Sequence, residues 1–519
     1  MKRLLAILTV AIAMMPIVTK AQSTTTNGPE LDLDENAITY VLEDNNDFMR
    51  IFSVGTGLWG GYNDIIISKY DKQTNALSEQ VVDDDYEACF VFLSNENTTV
   101  NVVRFVANKK TMMVECQKAS FPVDVKVPKK LVFETFYSYP VTPYAKNIDN
   151  RNHIVYAVNN ADRSKFAIVS VFYPTKEQNE QCVKVAVFDN EGALLWHESG
   201  SIDFYTFLDI NDINVTLDGT VYVSGSGSYR TRENIEPCIY ILTCSQQGIF
   251  SYKNNVESLE YCGFKRTVLP NGEFRLVGVN AKEGESNGKL FSYMATPDGD
   301  VDYVEEDVDI SPYVKGVKYD DKKLEKKLGG FTPYMFDLIC LQDGNLLLVG
   351  EMKCRIVIGY YRDSNFELTG DLSHNIICAK VGADGKLVDL NVFPRATVTS
   401  DEMGKWRTTN PVYAFEKDGD IYLMYNDHRG NFSGNVTQWN TLYYNRPDHC
   451  SVVLSKIENN GELSSTLLYN AKTKLKDPRM IVQQHNHEFF LKFLQQEDDG
   501  MYYILKRDDD FHLEKVTIE

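Results

Sequence analysis

Asp218-Gly219-Thr220-Val221-Tyr222-Val223 opens a pattern that returns along most of the chain: a turn dipeptide, then a short apolar run. A companion turn follows at Gln247-Gly248. The pair recurs as Asn271-Gly272 with Asp298-Gly299, Asp343-Gly344 with Asp384-Gly385, and Asp418-Gly419 with Asn460-Gly461. Glycine supplies the positive φ that a two-residue hairpin turn demands. The runs Val221-Tyr222-Val223, Phe274-Arg275-Leu276-Val277, Leu346-Leu347-Leu348-Val349 and Ile421-Tyr422-Leu423-Met424 each follow the first turn of a pair. Their near-continuous apolar character is that of strands buried on both faces.

Two hairpins per unit, repeated every ~50–75 residues, describe a four-stranded module used many times. The turns divide the chain into units over about 37–84, 86–140, 150–201, 202–258, 259–308, 331–394 and 409–471, with a closing stretch over 479–519. The fold class expected is all-β, a β-propeller of seven or eight four-stranded blades. The count turns on whether the irregular unit 86–140 is a blade or an insertion. One or two β-sandwiches are the competing arrangement, but evenly paired hairpins favour a ring, which spares each sheet an exposed stacking face. Ser311-Pro312 reads as a helix cap with proline at the first helical position; Asp320 to Leu328 favours helix, and Gly329-Gly330 stops it. A short helical insertion is therefore expected near 311–328. The paired turns and apolar strands resemble those of secreted bacterial β-propeller proteins. The resemblance is architectural and carries over no functional residues, since the Trp-Asp signature of WD repeats is missing.

Lys2 and Arg3, the apolar run Leu4 to Val18, and Thr19-Lys20-Ala21 before Gln22 read as a secretory signal peptide over 1–21. A linker over 22–36 and a propeller over 37–519 complete the expected organisation. The expected location is periplasmic or extracellular in a Gram-negative bacterium, with no integral membrane segment after cleavage. Losing Lys2, Arg3 and Lys20 would take the formal charge from −20 to −23. Such a surface repels phosphate backbones, which argues against nucleic acid as a partner. The ten cysteines include no CxxC pair, so a zinc ribbon is unsupported and no metal or cofactor is expected. Cys182, Cys238, Cys378 and Cys450 fall just before or within the third strands of their units, as small apolar core residues would. Buried thiols and disulfides both remain open.

Short turns at one end of the units contrast with longer connections at the other, at 225–236, 280–288, 351–375, 391–411 and 426–449. Long loops on a rigid scaffold are where binding residues gather. That face carries Trp59, Tyr62, Tyr229, Arg230, Glu351, Trp406, Arg407, Asp427, His428, Arg429 and Trp439. Aromatic planes beside Arg, Asn and Asp can stack on sugar rings or peptide side chains and hydrogen-bond their edges. The expected function is non-catalytic binding or scaffolding, with a glycan, peptide or protein partner on the long-loop face. The alternative is a polysaccharide hydrolase or lyase using carboxylates such as Asp64, Glu351 and Asp427 in a central pocket. A third option, a platform on the short-turn face, predicts exposed apolar side chains there. Asp427-His428 alone is a weak acid–base signal, and His485-Asn486-His487 reads as a turn.

Overall fold

A computed structural model describes the backbone of strands from Ser23 to Ile518, and side chains chiefly over residues 90–468 and 516–518. Residues 1–22, 310–331, 399–407, 433–439, 469–477 and 484–495 lie outside the described residues, with several shorter turns. The helix expected near 311–328 falls there.

The turns show why Asp or Asn precedes Gly so often. Asp218 Oδ1 accepts the Thr220 N–H at 3.1 Å, and Asn271, Asp343 and Asp384 each do the same for the N–H two residues on. The side chain thus stands in for a backbone acceptor inside the turn. Gly219, at φ 99°, donates its N–H to Thr216 O, and Thr216 N–H reaches Thr220 O. These loops are therefore longer than the two-residue turn expected from the dipeptide. The two-residue form holds at Asp418-Gly419, with φ of 54° and 82° and Lys417 facing Asp420, and at the Gln247-Gly248 turn, shifted by one residue so that Ser245 faces Gly248 across Gln246-Gln247.

The strands these turns join form antiparallel sheets in chain order: sheet 1 over 38–86, sheet 2 over 89–140, sheet 3 over 153–202, sheet 4 over 208–255, sheet 5 over 262–309, sheet 6 over 332–398 and sheet 7 over 412–467. The irregular unit 86–140 is thus a sheet like the others. From sheet 2 to sheet 7 the first strands of consecutive sheets touch each other. Second strands such as Lys165–Phe172 are almost wholly buried, whereas fourth strands such as Leu194–Ile202 are largely exposed. The sheets therefore stand radially, first strands inward: the chain is a β-propeller. Each apolar cluster is a seam between neighbours; Val185, Val187, Val221, Val223 and Leu242, for example, join sheets 3 and 4.

Sheet 8 takes strands from both ends of the chain. Gly500–Arg507 and Asp510–Ile518 form its centre, and Ser23–Thr26 pairs antiparallel with Asp510–Ile518, placing Ser23 opposite Ile518. Glu30–Leu31 pairs with the same strand. The stretch 22–36, read from sequence as a linker, contains both strands. Its Ser-Thr-Thr-Thr run has no apolar alternation to announce them.

Hydrogen bonds also tie consecutive sheets together at the short-turn face. Lys118 Nζ donates to Glu191 O, Lys165 Nζ to Leu217 O, the Tyr222 hydroxyl to Gly272 O and Arg275 Nη1 to Ala383 O. Lys417 Nζ extends the series by donating to Ile518 O of sheet 8. In these five the donor belongs to the earlier sheet; Leu387 N–H of sheet 6, which donates to Glu306 of sheet 5, runs the other way. The eight cysteines whose side chains are described are thiols. Cys182, Cys238 and Cys378 lie buried on third strands, and Cys238 and Cys244 share one seam, as their spacing requires. Burial pushes the Cys262 thiol up to about 12, which keeps it protonated and unreactive.

Two seams give tests. A Cβ on Gly278 would lie 2.6 Å from Gly263 O and against the Phe291 ring. Gly278→Ala is expected to destabilise the protein by about 1–3 kcal/mol, read from the urea midpoint. Between sheets 2 and 3, the buried His153 ring stacks on Phe172 with centroids 4.5 Å apart, and the Tyr139 hydroxyl lies 3.4 Å from Nε2. Desolvation lowers the His153 pKa to about 4 from an ordinary 6.5. The unfolded chain therefore takes up this proton first, and stability falls as pH drops from about 6.5 towards 4. About 3 kcal/mol of acid sensitivity is expected from this group. Denaturation at pH 7 and pH 4 should show that share missing in His153→Phe.

Candidate functional site

The second and third strands of sheet 6, Leu346–Tyr360 and Glu367–Val381, each run 15 residues. Their counterparts in sheet 5, Phe274–Asn280 and Asn287–Ala295, have 7 and 9. The 351–375 segment expected as a loop is therefore largely a paired hairpin arm, bulged at Glu351/Met352 and Val357/Gly359. Met352, Cys354 and Ile356 alternate along it and pack on the seam with sheet 5. The intervening Lys353 and Arg355 gave the segment its loop-like composition.

On the other side of this arm, at the seam with sheet 7, lies a buried polar cluster. Glu351 is 1% exposed; its carboxylate accepts from Ser373 Oγ at 2.8 Å and from Arg395 Nη1 at 3.0 Å. Arg395 is fully buried, donates Nε to Asn426 O at 3.1 Å, and sets its guanidinium 5.7 Å from the Tyr425 ring centroid. Its own N–H is held by Asn375 Oδ1. Desolvating two charges costs several kcal/mol per ion, and the pair persists because further hydrogen bonds satisfy both groups. Lys353 Nζ lies 3.5 Å from Glu351 and 3.6 Å above the Tyr334 ring. Its side chain is 19% exposed, so it is the member of the cluster that meets solvent.

Sheet 7 supplies Asp427. Leu423 and Tyr425 point into the seam with sheet 6, and strand alternation puts Asp427 on the same face. Its Oδ1 accepts the His428 N–H at 2.7 Å and Asn431 Nδ2 at 3.1 Å. A 3-10 turn, Arg429–Phe432, follows, and Gly430 N–H donates to His428 Nδ1 at 3.0 Å, which places the proton of a neutral imidazole on Nε2. Asn431 also clasps Asn440, through its backbone N–H at 2.7 Å and side-chain amide at 2.9 Å. The chain then crosses to sheet 6, where Leu442–Tyr443 pairs parallel with Thr397 and Val398 as a fifth strand. This strap carries the second-to-third connection of sheet 7 across the seam.

The structure brings Glu351, Asp427 and His428 to one seam, with Arg429 opening the turn beside them. Tyr62 begins a strand of sheet 1, to which Asp64 also belongs, and Tyr229 and Arg230 end a strand of sheet 4, opposite Glu236 and Ile235. These four lie on other sheets. Trp59, Trp406, Arg407 and Trp439 lie outside the described residues. Sequence reasoning missed Arg395, Ser373 and Asn431. The available signal was Arg395 itself, a lone cation in the fourth-strand run Phe393-Pro394-Arg395-Ala396. Both carboxylates are closed to solvent, Asp427 fully so. Among the described residues no group of three or more His, Cys, Asp or Glu is arranged to hold a metal ion.

No family model and no curated protein matches the chain. Solved structures similar to it include the β-propeller domain of the trilobed protease from Pyrococcus furiosus, at 12% identity and TM-score 0.30, covering 84% of this chain and 96% of that one. An α-L-arabinanase from Penicillium chrysogenum matches at 10% identity and TM-score 0.30, covering 64% and 92%. An apocarotenoid oxygenase from Synechocystis matches at 7% and 0.31, covering 88% and 95%. The likeness is one of architecture and assigns no chemistry.

Removing one member of a buried ion pair strands the other charge. Arg395→Met is expected to cost about 3–5 kcal/mol, and adding Glu351→Gln should restore much of it. A double-mutant cycle on urea midpoints measures that coupling.

Proposed function

We propose that this chain is an exported binding propeller that holds a glycan at the long-loop end of the seam between sheets 6 and 7. One observation carries the reading: the extended arm of sheet 6 and the strap from sheet 7 bring two hydrogen-bonded groups side by side, Glu351 with Arg395 and Asn426, and Asp427 with Asn431 and Asn440. Lys353 above Tyr334, the Asn440 amide and His428 are groups that engage sugar hydroxyls and ring faces, while buried Asn431 holds the strap that carries Asn440. The rigid sheets beneath hold them in place. Glu351 and Asp427 position Arg395 and the strap. The signal-like stretch 1–21 supports export.

A second reading, glycoside cleavage, is favoured by Glu351 and Asp427 facing the same seam, since glycosidases use paired carboxylates. The two readings separate when the mature protein is screened against a panel of polysaccharides and oligosaccharides for both binding and release of reducing ends. Binding without release is expected, with affinity for the retained glycan at least ~10-fold weaker in Lys353→Ala, a loss of about 1.4 kcal/mol. Release of reducing ends that disappears in Asp427→Asn would make the protein a glycan-cleaving enzyme, a lyase if an unsaturated sugar appears with them and a hydrolase if not. A protein that neither binds nor cleaves any of the panel would remove the glycan from the proposal.

A further inference from the structure

We infer that the outer rim of the short-turn face, across sheets 3 to 6, docks a protein partner whose contact surface is apolar and edged by lysine and arginine. This surface lies at the opposite end of the sheets from the proposed glycan site and stands independently of it. The described residues include nine exposed large apolar side chains. Six of them share one place in the fold. Leu194 and Leu195 follow the Gly192 turn, Phe250 follows Gly248, Tyr303 follows Gly299, Val388 follows Gly385, and Leu217 sits within the Gly219 turn. Each of the first five begins the fourth, outermost strand of its sheet, and the four sheets are consecutive.

The rim is continuous because a turn of each later sheet packs against the outer strand of the sheet before it. The α-carbon of Gly219 faces Trp196 of sheet 3, that of Gly299 faces Phe250 of sheet 4, and that of Gly385 faces Val304 of sheet 5. Farther along the same outer strands the exposed positions turn polar, with Ser199, Asn255 and Asp307. Scattered exposed apolar residues are ordinary; recurrence at one structural position on four adjacent sheets is the mark of a surface that is covered.

Charge selects the occupant. Exposed Glu191, Asp218, Asp298, Asp302 and Asp389 border the apolar side chains, against exposed Lys386. A second copy of a chain with formal charge −20 is repelled from such a rim, as are an anionic membrane and nucleic acid. A basic, apolar protein surface is complementary in both respects.

The test uses the full mature chain and a fluorescent peptide of alternating lysine and leucine, with a glutamate–leucine peptide and phosphatidylglycerol vesicles alongside. The lysine–leucine peptide is expected to bind in a salt-sensitive manner and to slow hydrogen exchange at the starts of Leu194–Ile202, Gly248–Asn255 and Val301–Asp309. The Leu195→Ser/Leu217→Ser/Val388→Ser variant should bind at least ~5-fold more weakly by loss of apolar contact, while Val132→Ser on sheet 2 should bind like the parent. Circular dichroism checks that the triple variant folds. Asp302→Asn/Asp389→Asn, which leaves the apolar side chains in place, should also weaken binding. Unchanged binding by both variants, equal binding of the glutamate–leucine peptide, or exchange protection elsewhere on the molecule would overturn the inference. So would vesicle binding or self-association that protects this rim.

Discussion

Each of sheets 3 to 6 depends on having a neighbour on each side. The second strand of sheet 3, Lys165–Phe172, is buried at every position after the first. Its alternate residues enter two different seams: Ala167, Val169 and Val171 face sheet 4, while Phe166, Ile168 and Phe172 face sheet 2. A single four-stranded sheet of this composition would present apolar surface to water on both sides. Radial stacking satisfies all the sheets together, which makes stability a property of adjoining pairs.

The seams are not alike. Those between sheets 3 and 4 and between sheets 5 and 6 are built chiefly from Val, Leu, Ile and Met. Sheets 2 and 3 meet through packed rings, with Phe92 and Phe166 5.0 Å apart and Phe136 edge-on to Phe188 at 5.1 Å, and bury a neutral histidine among them. Sheets 6 and 7 begin in the same apolar way, through Leu347, Val349 and Leu423. Only one pleat farther along, the seam changes to Glu351, Arg395 and Asp427. A uniform apolar seam would have served packing as well or better. The change coincides with the lengthened arm of sheet 6 and the strap from sheet 7, which is why this seam reads as a site and the others as structure.

Much of the architecture was legible in the sequence because its signals are local. An Asp or Asn before Gly caps its own turn, and a run such as Leu346-Leu347-Leu348-Val349 declares a strand buried on both faces. Features that depend on distant partners were not legible. The arm over 351–375 carries Lys353, Arg355 and Asp371 among its apolar residues, so its period of two was masked. Arg395 acquires its meaning from Glu351, 44 positions earlier, through a bond that no local pattern announces. Glu351 and Asp427 were placed on the long-loop face by position alone, and the tie from Asp427 through Asn431 to Asn440 depends on Leu442–Tyr443 leaving sheet 7 to join sheet 6.

Sheet 8 has a consequence for how the molecule is made. Its outer strand, Ser23–Thr26, lies far upstream of the strand it joins, Asp510–Ile518, with sheets 1 to 7 between them in the chain. Bringing such remote segments together carries one of the largest loop-closure entropies the chain can incur. The early strand has no partner of its own until the strand over 510–518 has been made. Loss of the strand Asp510–Ile518 would leave both early strands, Ser23–Thr26 and Glu30–Leu31, without the neighbour they share.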